Sequence, residues 1–210
     1  MEIKETERIN EMWHYERELK NKGYKMIAGV DEAGRGPLAG AVYAAAVILP
    51  DGEVIEGIND SKKLTAKKRE ALYDIITEKA IAWCVASVDE KVIDEINILN
   101  ATYLAMQRAV EGLAQKADFV LIDGNRAPEL DVECDTLVKG DSKSISIAAA
   151  SILAKVERDR YIDKMAEVYP EYGFEKHKGY GTKAHSETIL KYGPSPIHRK
   201  TFLKKLLGEN

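Results

Sequence analysis

MIAGVDEAGRGPLAGAVYAAAVILP, residues 26–50, decides how the chain is read. An apolar run from Met26 to Val30 ends on two adjacent carboxylates, Asp31 and Glu32. Gly34-Arg35-Gly36 and Pro37 follow, and a second apolar run from Ala41 to Leu49 leads away. This is the pattern of two strands joined through an acidic tip and a glycine-rich turn. Carboxylates at the end of a buried strand are costly unless a cation neutralises them. Arg35, a distant Lys or Arg, or a metal ion are the candidates. Successive side chains on a strand point to opposite faces, so Asp31 and Glu32 share one ion only where the strand ends or bulges. The glycines just downstream permit such a distortion. A water-exposed Asp-Glu turn capped by glycines fits the same letters.

Outward from this stretch, 210 residues without repeats, low-complexity tracts or linkers read as a single domain, 1–210. A hydrophobic content of 45% with 31% charged residues fits a soluble globular protein. No run approaches the roughly 20 apolar residues of a membrane span. The N-terminus is charged from its second residue and lacks a signal-peptide core, so the expected location is cytoplasmic, with no membrane partner. Cys84 and Cys134 are too few for a disulfide framework or a cysteine-based zinc site and are expected to be reduced. The net charge of −4 argues against an indiscriminate nucleic-acid coat. Residues 139–205, however, hold 14 Lys or Arg against 8 Asp or Glu. A basic C-terminal third beside acidic residues suits a carboxylate metal site next to a phosphate-binding surface, although solvated helix faces give the same asymmetry.

Hydrophobic periodicity predicts an amphipathic helix over about 2–22, carrying Ile9, Met12 and Trp13. A third short strand is expected near Val54 to Ile58, completing an antiparallel meander. Thr65 is a natural N-cap for a helix over Ala66 to Lys79, with Leu72, Ile75 and Ile76 inward. An edge strand follows at Ile81 to Val88, then a helical stretch from Asp89 to Gln115, broken near Asn97 to Asn100. Ala117 to Ile122 reads as a strand buried on both faces, delivering Asp123 at the end where ligands collect in α/β sheets. After a brief strand at Thr136 to Val138 and a loop at 139–143, residues 144–168 form the longest helix, apolar all round in its first half. An aromatic and basic loop over 169–183 and short helices at His185 to Tyr192 and Thr201 to Leu207 close the pattern. The expected class is α/β, a mixed central sheet flanked by helices with a helical C-terminal part at about 182–207.

Asp31, Glu32, Asp123 and Asp141 form an acidic constellation, three of them at the ends of apolar runs. Hard divalent cations take oxygen ligands, and two ions about 4 Å apart can activate a water and stabilise a leaving oxygen. Separate turn and capping acids remain an alternative. The spacing of His and Cys residues disfavours zinc. Gly34 and Gly36 let backbone amides approach a sugar-phosphate, and Arg35 could meet a phosphate or simply bridge Asp31 or Glu32. Lys62 lies just ahead of a helix N-terminus, Lys143 just after Asp141, and Lys178 beside Tyr180; each is a candidate phosphate contact. Tyr180 is either a stacking platform or a loop anchor. His177, His185 and His198 read as surface or packing residues.

DEAGRGPLAG at 31–40 resembles the opening signature of ribonuclease HII. NDSKKLT at 59–65, FVLIDGN at 119–125, VKGDSKSISIAAASILAKVERD at 138–159 and HKGYGT at 177–182 are similar to that family's further blocks, in the family's order. The resemblance implies a ribonuclease H-like fold and an endoribonuclease acting on RNA/DNA hybrids and on duplex DNA containing ribonucleotides. It implies cleavage 5′ to the ribonucleotide, 3′-hydroxyl and 5′-phosphate products, and a role in removing misincorporated ribonucleotides. Asp31, Glu32, Asp123 and Asp141 match the family's catalytic acids, which use Mg²⁺ or Mn²⁺. Gly34-Arg35-Gly36 would sense the 2′-hydroxyl, and Tyr180 would pack on the nucleotide after the scissile junction. The related ribonuclease HIII carries an additional N-terminal domain, for which the 25 residues before the motif leave no room, and its glycine motif differs. A monomer is expected. A phosphohydrolase acting on another ester, or a hybrid-binding module without catalysis, are the competing readings.

Overall fold

In the computed structural model, which describes residues 3–209, the two apolar runs around the glycine turn are β1 (Ile27–Ala33) and β2 (Val42–Ile48). They pair antiparallel in continuous register from Ala28 opposite Ile48 to Ala33 opposite Tyr43. β3 (Ala82–Val88) pairs antiparallel with β2, while β4 (Phe119–Asp123) lies parallel to β1 and β5 (Cys134–Leu137) parallel to β4. The result is a mixed five-stranded sheet in the order β3-β2-β1-β4-β5. Strand β3 is the edge strand the sequence predicts.

The N-terminal segment is two helices, α1 (Ile3–Met12) and α2 (His14–Asn21), broken at Trp13, where a single one is expected. They are docked: Ile9, Met12 and Trp13 are buried with Ile55 and Ile58, and the Trp13 indole donates to the Glu53 carbonyl at 3.0 Å. This packing overturns the strand expected at Val54 to Ile58. Turns at Gly52 (φ 69°) and Gly57 (φ 79°) bracket the segment, and its isoleucines enter the core from a loop rather than from a ladder. The meander takes β3 as its third strand instead, after the intervening α3 (Ala66–Lys79). Thr65 caps α3 by accepting from the Lys68 N–H, and Leu72 and Ile76 face inward, but Ile75 is exposed. The next helix, α4 (Glu90–Glu111), is kinked at Asn97, which takes a positive φ of 66° and accepts from the Leu99 and Asn100 N–H groups to restart it.

Strand alternation sends Ala28, Val30, Ala44 and Ala46 toward Ala101, Ala105 and Ala109 of α4. The opposite face of β2, Ala45 and Val47, meets the apolar half of α5 (Ile145–Val168), capped by Ser144. Helix α5 sits closest at Gly29: a Cβ there would lie 2.1 Å from the Ser146 carbonyl carbon. Glu16 of α2 reaches this helix start, accepting from the Ser144 hydroxyl (2.6 Å) and the Ser146 N–H (3.1 Å); burial pushes its carboxyl pKa up. The chain ends in α6 (Phe174–His177), α7 (Lys183–Tyr192) and α8 (Lys200–Leu207). Phe174, Ile189, Ile197 and Leu203 close over Ala39, and the backbones of Leu38 and Gly40 bond to Gly179, Ile197 and Arg199. Among the described residues no helix is long and apolar enough to cross a membrane.

Gly29→Ala is expected to force α5 off the sheet, costing about 3 kcal/mol and lowering Tm on the order of 10 °C. Thermal unfolding with an unchanged Tm would refute the close contact.

Candidate active site

Asp31 lies within β1, on the face turned to α5. Asp123 ends the neighbouring β4, and its Oδ1 accepts the Gly140 N–H at 2.6 Å. That bond ties down the short 3₁₀ turn Gly140–Ser142, which follows Lys139 in the left-handed conformation (φ 58°) and presents Asp141. One carboxylate oxygen from each of Asp31, Asp123 and Asp141 lies within 4.8 Å of the other two. Glu32 stands outside this trio. Strand β1 does not bulge, so alternation carries Glu32 to the other face, beside Tyr103 and Met106 of α4, where Arg35 approaches it at 3.3 Å. It still borders the cavity that Asp31 and Asp123 line.

The surroundings raise the pKa of Asp31, Asp141 and Glu32. Burial, followed by the charges of Glu32 and Asp123, holds the Asp31 carboxyl well above its ordinary value, against a hydrogen bond from Ser151. Burial also raises Asp141, with Asp123 and Asp60 adding to it, and raises Glu32 against the pull of Arg35. Lys62 is the cation nearest the trio, with Nζ 3.5 Å from Asp141 and most of its side chain in solvent. One exposed ammonium does not offset three converging carboxylates, and an all-oxygen donor set of this kind fits a hard divalent cation.

The glycine loop lies on the same cavity, of about 200 Å³, with Lys62 and Tyr180. Gly34 adopts φ 97°, and a Cβ on it would sit 2.2 Å from Arg158 Nε, so no larger residue fits. Gly36 is different: a Cβ there meets nothing nearer than Tyr180 Cε1 at 3.7 Å. Behind the loop, fully buried Arg199 donates to the carbonyls of Gly34 (2.5 Å), Arg35 (2.9 Å), Pro37 (2.8 Å) and Gly40 (2.7 Å).

Lys143 and Lys178 are not on this cavity. The Lys143 ammonium donates to the Val138 carbonyl at 2.8 Å, next to the groove beside α1 and α2, and the Lys178 ammonium pairs with Asp163. The sequence reading missed Ser61, Ser151 and Lys155, which line the cavity, and both buried arginines. A signal existed for some of them. Ser151, Lys155 and Arg158 recur at helical spacing where the apolar half of α5 gives way to its charged half.

Residues 28–205 match the family profile described as ribonuclease HII. The chain belongs to the ribonuclease HII family. Ribonuclease HII of Caldicellulosiruptor bescii is 57% identical over 99% of this chain and 100% of its own length. That of Acetivibrio thermocellus is also 57% identical, over 97% of this chain and 80% of its own. Among solved structures, ribonuclease H2 from Pyrococcus horikoshii superposes with a TM-score of 0.73 at 30% identity, covering 87% of this chain and 97% of that one. The fold is therefore ribonuclease H-like, and the chain is an endoribonuclease of the ribonuclease H type, acting on RNA/DNA hybrids. Metal dependence, a property of the family, agrees with the acidic trio.

A carboxyl whose pKa is raised by folding favours the folded state at low pH and opposes it as pH rises through the folded value. Asp31→Asn should therefore raise the Tm of the metal-free protein at pH 7, and the gain should narrow as pH falls toward the ordinary carboxyl value of 3.8. Melting curves across that range check both sign and slope.

Proposed function

We propose that this endoribonuclease, besides cutting the RNA strand of RNA/DNA hybrids, cleaves on the 5′ side of a single ribonucleotide embedded in duplex DNA. The products carry 3′-hydroxyl and 5′-phosphate ends. The supporting observation is that the glycine loop and Tyr180 share one small cavity with Asp31, Glu32 and Asp123. Sugar reading and phosphate chemistry are thereby confined to about one nucleotide. A free 2′-hydroxyl is both donor and acceptor, and backbone groups at an unobstructed glycine such as Gly36 are suited to sense it.

In this reading Asp31, Asp123 and Asp141 hold the divalent cation, Mg²⁺ or Mn²⁺, with Glu32 at the cavity wall. When bound, such a cation lowers the pKa of a water and stabilises charge on the leaving oxygen. Arg35, half-exposed and already paired with Glu32, meets a substrate phosphate, and Lys62 offers a second positive charge beside Asp141. Tyr180 packs on the sugar that follows the junction. Lys143 and Lys178, turned away from the cavity, act as outlying contacts to the duplex backbone. The chain works as one catalytic domain and a monomer, in the cytoplasm, removing ribonucleotides misincorporated into DNA.

A hydrolase for a small phosphate ester would give the glycine loop and Tyr180 nothing to read, and a binding module without catalysis would gain by replacing acids that repel phosphate. Cleavage of a duplex containing one ribonucleotide, with and without Mg²⁺, separates the three readings.

Asp31→Asn and Asp123→Asn should each abolish cleavage while the protein stays folded by circular dichroism; near-normal turnover of either at saturating Mg²⁺ would remove that residue from the metal site. Lys62→Ala should weaken binding alike across sequences and reduce the salt dependence by about one unit of slope, and Lys143→Ala and Lys178→Ala should do less. Tyr180→Ala should lower kcat/KM about tenfold on the single-ribonucleotide duplex, the size of one lost stacking contact, and less on a continuous hybrid. Gly36→Ala should impair both substrates without changing Tm, because its methyl group meets only Tyr180 in the free protein. Equal losses on the two substrates for Tyr180→Ala would reduce Tyr180 to a loop anchor.

A further inference from the structure

The Tyr180 ring borders the cavity, but its backbone carbonyl turns inward. There it accepts the Thr182 N–H at 2.8 Å and bonds to His185 Nδ1 at 2.9 Å. His185 Nε2 lies 3.0 Å from His198 Nε2, and His198 Nδ1 accepts the Ser195 backbone N–H at 2.8 Å, with the Ser195 hydroxyl also 2.8 Å away and free to donate to it. The two ends of this chain fix its direction independently. A carbonyl only accepts, so His185 carries its proton on Nδ1 and leaves Nε2 as an acceptor. A backbone N–H only donates, so His198 Nδ1 is bare and its proton is on Nε2. The donor of one ring therefore meets the acceptor of the other.

We infer that His185 and His198 are positioning residues for Tyr180: a one-way hydrogen-bond relay, from Ser195 through two neutral imidazoles to the Tyr180 carbonyl, holds that residue at the cavity. The inference rests on the proposed role of Tyr180 at the junction sugar. An extra proton on His185 Nε2 would set N–H against N–H. One on His198 Nδ1 would displace the Ser195 backbone N–H and leave only the Ser195 hydroxyl to accept, so the doubly neutral pair is the arrangement that keeps every bond. Burial, which lowers both imidazoles to about 4, agrees with this. His177 extends the support. It stacks on His185 with centroids 4.2 Å apart, accepts the Gly179 N–H on Nδ1 (3.3 Å) and donates from Nε2 to the Tyr172 carbonyl (3.0 Å). Arg158 holds the neighbouring Lys178 carbonyl at 3.0 Å and lies 5.8 Å from the Tyr180 ring centre. None of the three histidines lines the cavity of the acids, and the ring nitrogens of His185 are both engaged. Their part is therefore placement rather than proton transfer to substrate.

The chain has only four histidines, so ¹⁵N-histidine NMR of the whole protein at neutral pH reads the tautomers directly. The expected result is the Nδ1–H form for His185 and the Nε2–H form for His177 and His198. An Nε2–H or doubly protonated His185 overturns the relay whatever the kinetics show. In activity, His185→Leu should lower kcat/KM more on the single-ribonucleotide duplex than on a continuous hybrid, shifting the ratio of the two by no more than Tyr180→Ala does. His185→Asn, whose amide N–H stands where Nδ1–H was, should restore most of the loss, while His185→Gln, which carries its amide further out, should not. In a Tyr180→Ala background His185→Leu should leave the ratio of the two substrates unchanged. If Tyr180→Ala itself leaves that ratio at its wild-type value, the junction reading fails and the NMR result still decides the relay. If Tyr180→Ala shifts the ratio and no His185 variant does, the positioning inference is wrong. Should His185→Leu not fold, the contrast between His185→Asn and His185→Gln decides the same question.

Discussion

Backbone meets backbone where α5 crosses β1. At Gly29 the sheet offers no side chain, and the helix sits so close that a methyl group would fall 2.1 Å from the Ser146 carbonyl carbon. Small residues on both partners, Ala45 on β2 and Ala148, Ala149 and Ala150 on α5, extend this contact at near-zero exposure. The site depends on it. With the helix seated there, Ser151 reaches Asp31, and the turn leading into the helix brings Asp141 to Asp123. Two turns beyond Ser151, Arg158 arrives under Gly34. Close-packed interiors transmit displacement rather than absorb it, so the acids and the loop that faces them share one origin of coordinates.

Around that contact, charge is sorted by depth. Asp31, Asp123 and Asp141 converge on the cavity side, with Lys62 3.5 Å from Asp141. On the closed side two arginines are buried behind the glycine loop, and both have their pKa lowered by burial. Arg199 satisfies its guanidinium with main-chain carbonyls, whereas Arg158 keeps Nε and Nη1 without hydrogen-bond partners. A loop between carboxylates and guanidinium groups experiences a steep local field, which polarises its peptide groups in one sense.

Much of this was legible in the letters because the relevant signals are local. Alternation and apolar runs located β1, β2 and β4, Thr65 and the Asn97 region announced helix starts, and the acids at the ends of apolar runs marked the site. The strand expected at Val54 to Ile58 was a misreading, because two apolar residues between turn formers look alike whether a ladder or Trp13 receives them. Alternation also explains Glu32: it obeys the strand and stands apart from Asp31, Asp123 and Asp141. The lysines divide on the same principle. Lys62 is held near Asp141 by its place beside a helix start, but the positions of Lys143 and Lys178 depend on Val138 and Asp163, partners no periodicity reveals. Arg199 was invisible for a related reason. It lies more than 150 residues from the carbonyls it binds, and a lone arginine in a polar stretch carries no mark of burial.

That separation has a consequence for the order in which the protein assembles. The acids belong to strands and a turn that a chain ending at α5 already contains, yet the loop of residues 34–40 closes only when residues 197–199 return to it. The pieces of that closure are the Arg199 side chain, the Gly40 N–H to Ile197 carbonyl bond and the Ala39–His198 bridge. Contacts of such long sequence separation form late, after the chain-closure entropy has been met. A chain folding from its N-terminus therefore gathers Asp31, Asp123 and Asp141 before the loop of residues 34–40 is closed over Arg199.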